Sequence, residues 1–179
     1  MRDVVLYELL SLDGVAEDPG AGWFAGPDEA YLRNLARVIA AQDTVLLGRR
    51  THDEWAGYWP ASEIQPFADF INATPKFVFT STAPAHEWSE TTAVSGPAED
   101  FVTELKRGPG GAIGIHGSVS LAGSLLAADL VDELRLVVAP SLAGRGRRLF
   151  EDTGQLRHFE LVDLERSGGC VLMGYRRVP

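Results

Sequence analysis

The chain is poor in cysteine and has no long apolar run. It has one cysteine, Cys170, among 179 residues, so no disulfide can form within the chain, and no partner stands near it at metal-ligand spacing. No apolar run approaches the roughly 20 residues that span a bilayer, and the first residues lack the apolar region of a signal peptide. We therefore expect a cytoplasmic protein in which Cys170 is a packed strand residue.

Positive charge is also scarce. Lys and Arg number 16 against 25 Asp and Glu, which gives a formal net charge of −9 and a pI near 4.9. A field of this sign repels nucleic acid and anionic membranes, and the local basic patches are large enough only for a small phosphate. We therefore expect a small-molecule partner, no nucleic acid and no membrane.

Two common catalytic motifs are missing. The serines of Gly117-Ser118-Val119-Ser120 fail the G-x-S-x-G pattern of serine hydrolases. No two histidines form a His-x-x-x-His pair, so a metal site is not expected; they are His52, His86, His116 and His158.

The order of elements indicates an α/β fold. Strands are expected at 3–10, 44–47, 76–80, 112–115, 131–139, 159–165 and 170–176. Helices are expected to start at Pro27-Asp28-Glu29 and at Thr51, and to cover 63–71, 97–106 and 118–127. Alternating strands and helices favour parallel pairing, and the consecutive strands at the end favour antiparallel pairing. We therefore predict one domain, residues 1–179, with a mixed, mostly parallel central sheet flanked by helices and ending in antiparallel strands.

The most informative segment is 114–123, where an apolar run ends in Gly117-Ser118 and changes at once to a helical pattern. Free N–H groups at a helix start bind anions, and glycine allows close approach to the main chain. An ordinary serine-capped turn would give the same pattern. The segment Gly48-Arg49-Arg50-Thr51 has the same two interpretations: a phosphate site, or solvated arginines followed by a Thr51 cap. For Thr80-Ser81-Thr82, the alternative to a phosphate site is an ordinary turn.

Four motifs in order resemble the dihydrofolate-reductase-like superfamily. They are Ser11-Leu12-Asp13-Gly14, Gly48-Arg49-Arg50-Thr51, the segment around Gly117-Ser118, and 142–150. The similarity is greatest to the reductase domain of bacterial riboflavin biosynthesis, the C-terminal domain of the bifunctional deaminase-reductase. This resemblance implies a dihydrofolate-reductase-like three-layer fold.

The resemblance also implies a bound NADPH. Its phosphates would lie at Gly48, Arg49, Arg50 and Thr51, its adenosine 2′-phosphate at Thr80, Ser81 and Thr82, and its pyrophosphate at Gly117 and Ser118, with Val119 and Leu121 nearby. The family frequently has a Gly-Gly pair where this chain has His116-Gly117. An imidazole there could crowd the cofactor, or could lie beside the phosphate or the nicotinamide.

The resemblance places candidate acids and substrate contacts as well. Asp13 borders the substrate cleft of relatives, and an acid in the first helix of folate reductases binds the pterin, which points to Asp28, Glu29 and the preceding Trp23. A plain turn and favourable helix-dipole interactions are the alternatives for these acids. Arg145, Arg147 and Arg148 could hold a substrate phosphate, or form a solvated hairpin tip or an inter-subunit contact.

Two functions remain open from the sequence. The first is an NADPH-dependent reductase that transfers hydride to a C=N or C=O group of a pterin-, pyrimidine- or ribosyl-type metabolite. The second is a non-catalytic nucleotide- or flavin-binding protein that keeps the fold. The family often dimerises through its late strands, so a homodimer is also expected.

Overall fold

A mixed sheet forms the middle of the structure, a computed structural model that describes residues 1–19, 22–23, 25–151 and 155–178. Its strands within these ranges are β1 (Val4–Leu10), β2 (Gln42–Gly48), β3 (Lys76–Phe79), β4 (Thr91–Val94), β5 (Ala112–His116), β6 (Glu133–Val138), β7 (Phe159–Ser167) and β8 (Cys170–Arg177). Their spatial order is β4-β3-β2-β5-β1-β6-β8-β7. Only β8 runs antiparallel to its neighbours, β6 and β7, so the carboxyl ends of β1 to β6 meet at one edge.

Helices cover both faces of this sheet. They are α1 (Glu29–Ala40), α2 (Arg49–Ala56), α3 (Phe67–Ala73), α4 (Ala98–Arg107) and α5 (Val119–Ala127). Because side chains alternate along a strand, Leu46 packs in the core under α4 and α5, while Val45 and Leu47 pack in the core under α1 and α3. None of the helices in the described ranges is both long and apolar enough to cross a membrane.

Strand β1 extends beyond the end of β5 toward the edge of the sheet. Their pairing ends at Tyr7 opposite His116, whereas β1 continues beside β6 as far as Leu10 opposite Val138. A notch is therefore left between β1 and β5, and it begins next to Glu8.

The predicted fold class is confirmed, with differences at the element ends. Helix α1 begins at Glu29, the last residue of the predicted helix start, and Cys170 is buried at the start of β8, as predicted. The sequence analysis missed β4, whose side chains are mostly exposed and therefore carry no apolar alternation.

Two helices begin at residues other than those predicted. Helix α3 begins at Phe67, because Pro66 precedes it and proline disfavours the α conformation in the residue before it. Helix α2 begins at Arg49, two residues before the predicted Thr51.

Candidate functional site

A large cleft opens at the carboxyl edge of the parallel strands. Its volume is about 1070 Å³, just above the roughly 300–1,000 Å³ that small-molecule sites occupy. Ten of the residues that the sequence singled out line it: Gly48, Arg49, Arg50, Thr51, His116, Gly117, Ser118, Val119, Leu121 and Arg147. The cleft therefore brings two of the three predicted phosphate-binding turns together.

Two hydrogen bonds tie those turns to each other. The main-chain N–H of Gly48 donates to Ser118 Oγ at 3.0 Å, and Thr51 Oγ1 donates to the Gly117 carbonyl at 3.1 Å. Thr51 is therefore not the cap of α2, because the helix already begins at Arg49 and the Thr51 hydroxyl bonds between the two turns. The ends of β2 and β5 form one rigid wall of the cleft.

The first turns of α2 and α5 both lie on the cleft. Neither helix has a side-chain hydrogen bond at its N-cap, Gly48 and Ser118 respectively. The N–H groups of a helix start need partners and carry the positive end of the helix dipole, so two such ends on one cleft favour a bound anion. A side chain with a full positive charge, Arg50, stands beside them.

The arginines of α2 are held by carboxylates. Arg49 pairs with Asp53 at 3.0 Å, and Arg50 pairs with Glu54 at 3.1 Å and with Glu17 at 3.6 Å. Both arginines are at least half exposed, so these pairs are weak and can be exchanged for a ligand phosphate.

The main chain at Gly117 has no room for a side chain. Its φ is +63°, in the left-handed region, and a Cβ there would stand 2.7 Å from Cζ2 of Trp55. The close approach of the Trp55 ring to the turn therefore requires glycine.

The His116 imidazole is buried against the rings of Phe67 and Phe70. The side chain is 2% exposed, and its Nε2 lies 2.8 Å from Gln42 Oε1. Gln42 starts β2 while Gly48 ends it, so this bond directs the ring away from the carboxyl edge. Burial lowers the pKa of His116 to about 3, so the ring is neutral at physiological pH.

One acid lines the cleft from inside the sheet, and the sequence analysis missed it. Glu8 lies in β1 at the start of the notch, is 3% exposed and faces the cleft. Burial raises its pKa to about 8, although hydrogen bonds from the main chain of Leu9 and Gly117 oppose the shift. The sequence did contain a signal for Glu8, because a carboxylate inside the apolar strand Val4–Leu10 is unusual.

The acids predicted as catalytic lie outside the cleft lining. The Asp13 carboxylate accepts hydrogen bonds from Ser11 Oγ at 2.6 Å and from the N–H groups of Ala143 and Gly144, both at 2.9 Å. These bonds hold the pKa of Asp13 down to about 2 and join two loops. Asp28 caps α1 through the Tyr31 N–H, and Glu29 is exposed beside Arg33.

The remaining predicted residues are scattered around the cleft. Thr80 Oγ1 accepts a hydrogen bond from the N–H of Thr82 in a local turn with Ser81, and only the preceding Phe79 lines the cleft. Trp23 packs on the core under α1 and α3, and neither it nor Arg145 lines the cleft. The Arg148 guanidinium donates a hydrogen bond to the Asp13 carbonyl.

In the described ranges no group of three or more His, Cys, Asp and Glu is arranged to hold a metal ion.

The sheet order, the notch and the cleft define a protein of the dihydrofolate-reductase-like fold. Residues 2–173 match the family described as the RibD C-terminal domain, and the chain belongs to this family. It is 28% identical over 183 residues to the uncharacterized protein YyaP of Bacillus subtilis, which covers 97% of this chain and 94% of YyaP.

Two solved structures support the fold at low identity. One is a diaminohydroxyphosphoribosylaminopyrimidine deaminase/5-amino-6-(5-phosphoribosylamino)uracil reductase from Thermotoga maritima, with a TM-score of 0.70 and 16% identity over 99% of this chain and 57% of that one. The other is dihydrofolate reductase from Enterococcus faecalis in complex with NADP(H), with a TM-score of 0.59 and 16% identity over 99% and 97% of the two chains.

Proposed function

We propose that the protein is an NADPH-dependent reductase that transfers a hydride to a C=N or C=O group of a small pterin-, pyrimidine- or ribosyl-type metabolite. The observation that carries this proposal is the convergence of two helix starts without side-chain caps, those of α2 and α5, on one cleft. Two anion sites side by side suit the separate phosphates of a dinucleotide. The reductase named among the solved relatives, and the relative in complex with NADP(H), support the same reaction class.

The residues at the cleft fit such a coenzyme. The N–H groups at the start of α5, after Gly117, would hold one phosphate, and those at the start of α2, with Arg49 and Arg50, would hold another. The lack of a side chain at Gly117 lets the Trp55 ring pack against this turn. Thr80 to Thr82 follow β3 at the same edge of the sheet, and we assign them to the 2′-phosphate.

The bound coenzyme supplies the hydride, and the protein supplies alignment, shelter from water and a proton. An aromatic wall made by Tyr31, Trp55 and Trp59 lines the cleft and suits a flat heterocycle. The notch between β1 and β5 gives the reacting rings access to the interior of the sheet, where water is excluded.

Thermal unfolding with NADPH, NADH, FMN or buffer alone tests the binding step. NADPH at a hundredfold its Kd should add about 2.7 kcal/mol to the free energy of unfolding. Turnover is then tested by the loss of NADPH absorbance in the presence of 7,8-dihydrofolate or of 5-amino-6-(5-phosphoribosylamino)uracil. A shift with FMN alone would favour the non-catalytic flavin-binding protein, and no shift with any nucleotide contradicts both functions.

We further propose a homodimer that buries the β7 edge of the sheet. Strand β7 pairs only with β8 among the described strands, and its Leu161, Val162 and Leu164 are between 46% and 61% exposed. A free strand edge with exposed apolar side chains is a surface that a second copy can cover.

A further inference from the structure

The proposed phosphate sites leave one buried acid of the cleft without a role. Glu8 stands where the pairing of β1 with β5 ends, and the N–H of Gly117, two residues before α5, donates a hydrogen bond to its carboxyl group. The other carboxyl oxygen, Oε2, is buried and has no hydrogen-bond partner among the described residues. A buried polar atom without a partner is costly, so one that lines a cleft points to a ligand contact.

No positively charged side chain in the described parts of the chain pairs with Glu8 to stabilise its charged form. Tyr7 on the same strand and Tyr31 on α1 are phenols whose pKa values burial raises, and His116 on β5 is neutral. Within the described ranges no lysine or arginine forms an ion pair with Glu8; Arg50, at the cleft wall, pairs with Glu17 and Glu54 instead. The carboxyl group is therefore in its protonated form at neutral pH, and so carries a proton that it can donate.

The other acids at or near the cleft fit this role less well. Hydrogen bonds lower the pKa values of Asp13 and Asp28, so both are ionised. Glu17 and Glu54 line the cleft but pair with Arg50. A general acid must be protonated before it can act, and Glu8 meets this condition.

We propose that Glu8 is the proton donor of the reductase reaction, an inference that rests on the proposed function. The C=N or C=O π bond of the substrate breaks, its carbon receives the hydride with both electrons from the dihydronicotinamide, and its nitrogen or oxygen receives the Glu8 proton. The nicotinamide is left oxidised and Glu8 is left as a carboxylate, which the Gly117 N–H stabilises until a proton returns from solvent.

Three variants test this role. Glu8→Gln keeps the shape but removes the proton, and Glu8→Asp keeps an acid. Glu133→Gln is the matched control, because Glu133 is a buried glutamate that pairs with Arg135 and Arg176 at the start of β6, the opposite edge of the sheet. The measurements for the wild type and each variant are the NADPH Kd, the infrared band of protonated carboxyl groups, and kcat as a function of pH. The substrates for kcat are 7,8-dihydrofolate and 5-amino-6-(5-phosphoribosylamino)uracil.

The wild type should show a protonated carboxyl band that Glu8→Gln lacks and Glu133→Gln retains, and its kcat should fall as pH rises through the pKa of Glu8. We expect Glu8→Gln to lower kcat at least ~100-fold with an unchanged NADPH Kd, and Glu8→Asp to restore part of the rate. A wild-type rate and pH profile in Glu8→Gln, or a missing band in the wild type, overturns the role of Glu8.

Failure of the reductase function gives a different result. If the wild type does not bind NADPH, the proposed function and the role of Glu8 fail together. If it binds NADPH but reduces neither compound at any pH, the coenzyme site stands and the proton-donor role is overturned.

Discussion

At the residue scale, burial moves the pKa values of two neighbouring strand residues in opposite directions. It raises that of Glu8 to about 8 and lowers that of His116 to about 3. Burial disfavours the charged form in both cases, and the charged form is the deprotonated one for Glu8 but the protonated one for His116. Both side chains are therefore mostly neutral near pH 7.

The pH dependence of stability tests the Glu8 shift. Between pH 4.5 and 8 the unfolded chain has lost the Glu8 proton and the folded protein keeps it, so the free energy of unfolding should fall as pH rises. Each unit of pKa difference corresponds to about 1.4 kcal/mol, so Glu8→Gln should gain more than ~1 kcal/mol relative to wild type between pH 5 and pH 8.5. Urea unfolding at both pH values measures this.

His116 supplies an internal control for that experiment. Its folded pKa lies below its unfolded value of 6.5, so both proteins should lose stability as pH falls from 6.5 toward 3. If the wild type and Glu8→Gln give parallel curves between pH 5 and 8.5, Glu8 ionises normally and the shift is wrong.

Sequence motifs identified acids by their position in a motif, and the structure shows what each acid contacts. Asp13 lies in a recognisable turn, yet three donors occupy its carboxylate. Glu8 lies in no motif, but its burial in an apolar strand makes it chemically unusual. The partner of His116, Gln42, is 74 residues away in the sequence, so no local pattern could have predicted the direction of the imidazole.

At the element scale, the turn between β5 and α5 sets the shape of the cleft. Gly117→Ala should destabilise the protein by about 1–3 kcal/mol and abolish NADPH binding, because a Cβ would meet Trp55 and the φ is positive. Thermal unfolding and NADPH titration measure both effects.

Gly123, inside the same helix α5, is the matched control. A Cβ at this position meets nothing within 4 Å, and alanine is favoured over glycine in a helix by about 0.5–1 kcal/mol. Gly123→Ala should therefore raise stability and leave NADPH binding unchanged. Equal effects of the two substitutions would show that the turn at Gly117 has no special role.

The same scale shows why two turns were predictable and the third was less so. Gly48 and Gly117 each end a buried strand and precede a helix, and that change of pattern is visible in the sequence. After Phe79 no helix follows directly, so Thr80 to Thr82 give only a turn signal. Their place at the edge of the sheet follows from the parallel pairing of β2 and β3, which involves residues 31 positions apart.

At the scale of the whole molecule, the alternation of strands and helices was sufficient to predict a mixed sheet. The strand order, and with it the notch between β1 and β5, depends on contacts between distant segments and was not predictable from local patterns. The notch matters most for the proposed function, because Glu8 and the end of β5 line one cleft beside it.

The proposed homodimer makes a prediction at this scale. Leu164 is the most exposed apolar side chain of β7, at 61%, so Leu164→Lys should weaken a dimer formed across that strand. Sedimentation equilibrium of the wild type and the variant measures the association. A wild-type protein that stays monomeric at all concentrations contradicts the proposal.

The crystal structure of the NADPH complex tests the central claim most directly. We predict a phosphate of the coenzyme on the N–H groups at the start of α5, a second beside Gly48 to Thr51, and the nicotinamide at the notch next to Glu8. NADPH bound elsewhere on the protein, or bound with its phosphates away from both helix starts, would contradict the account.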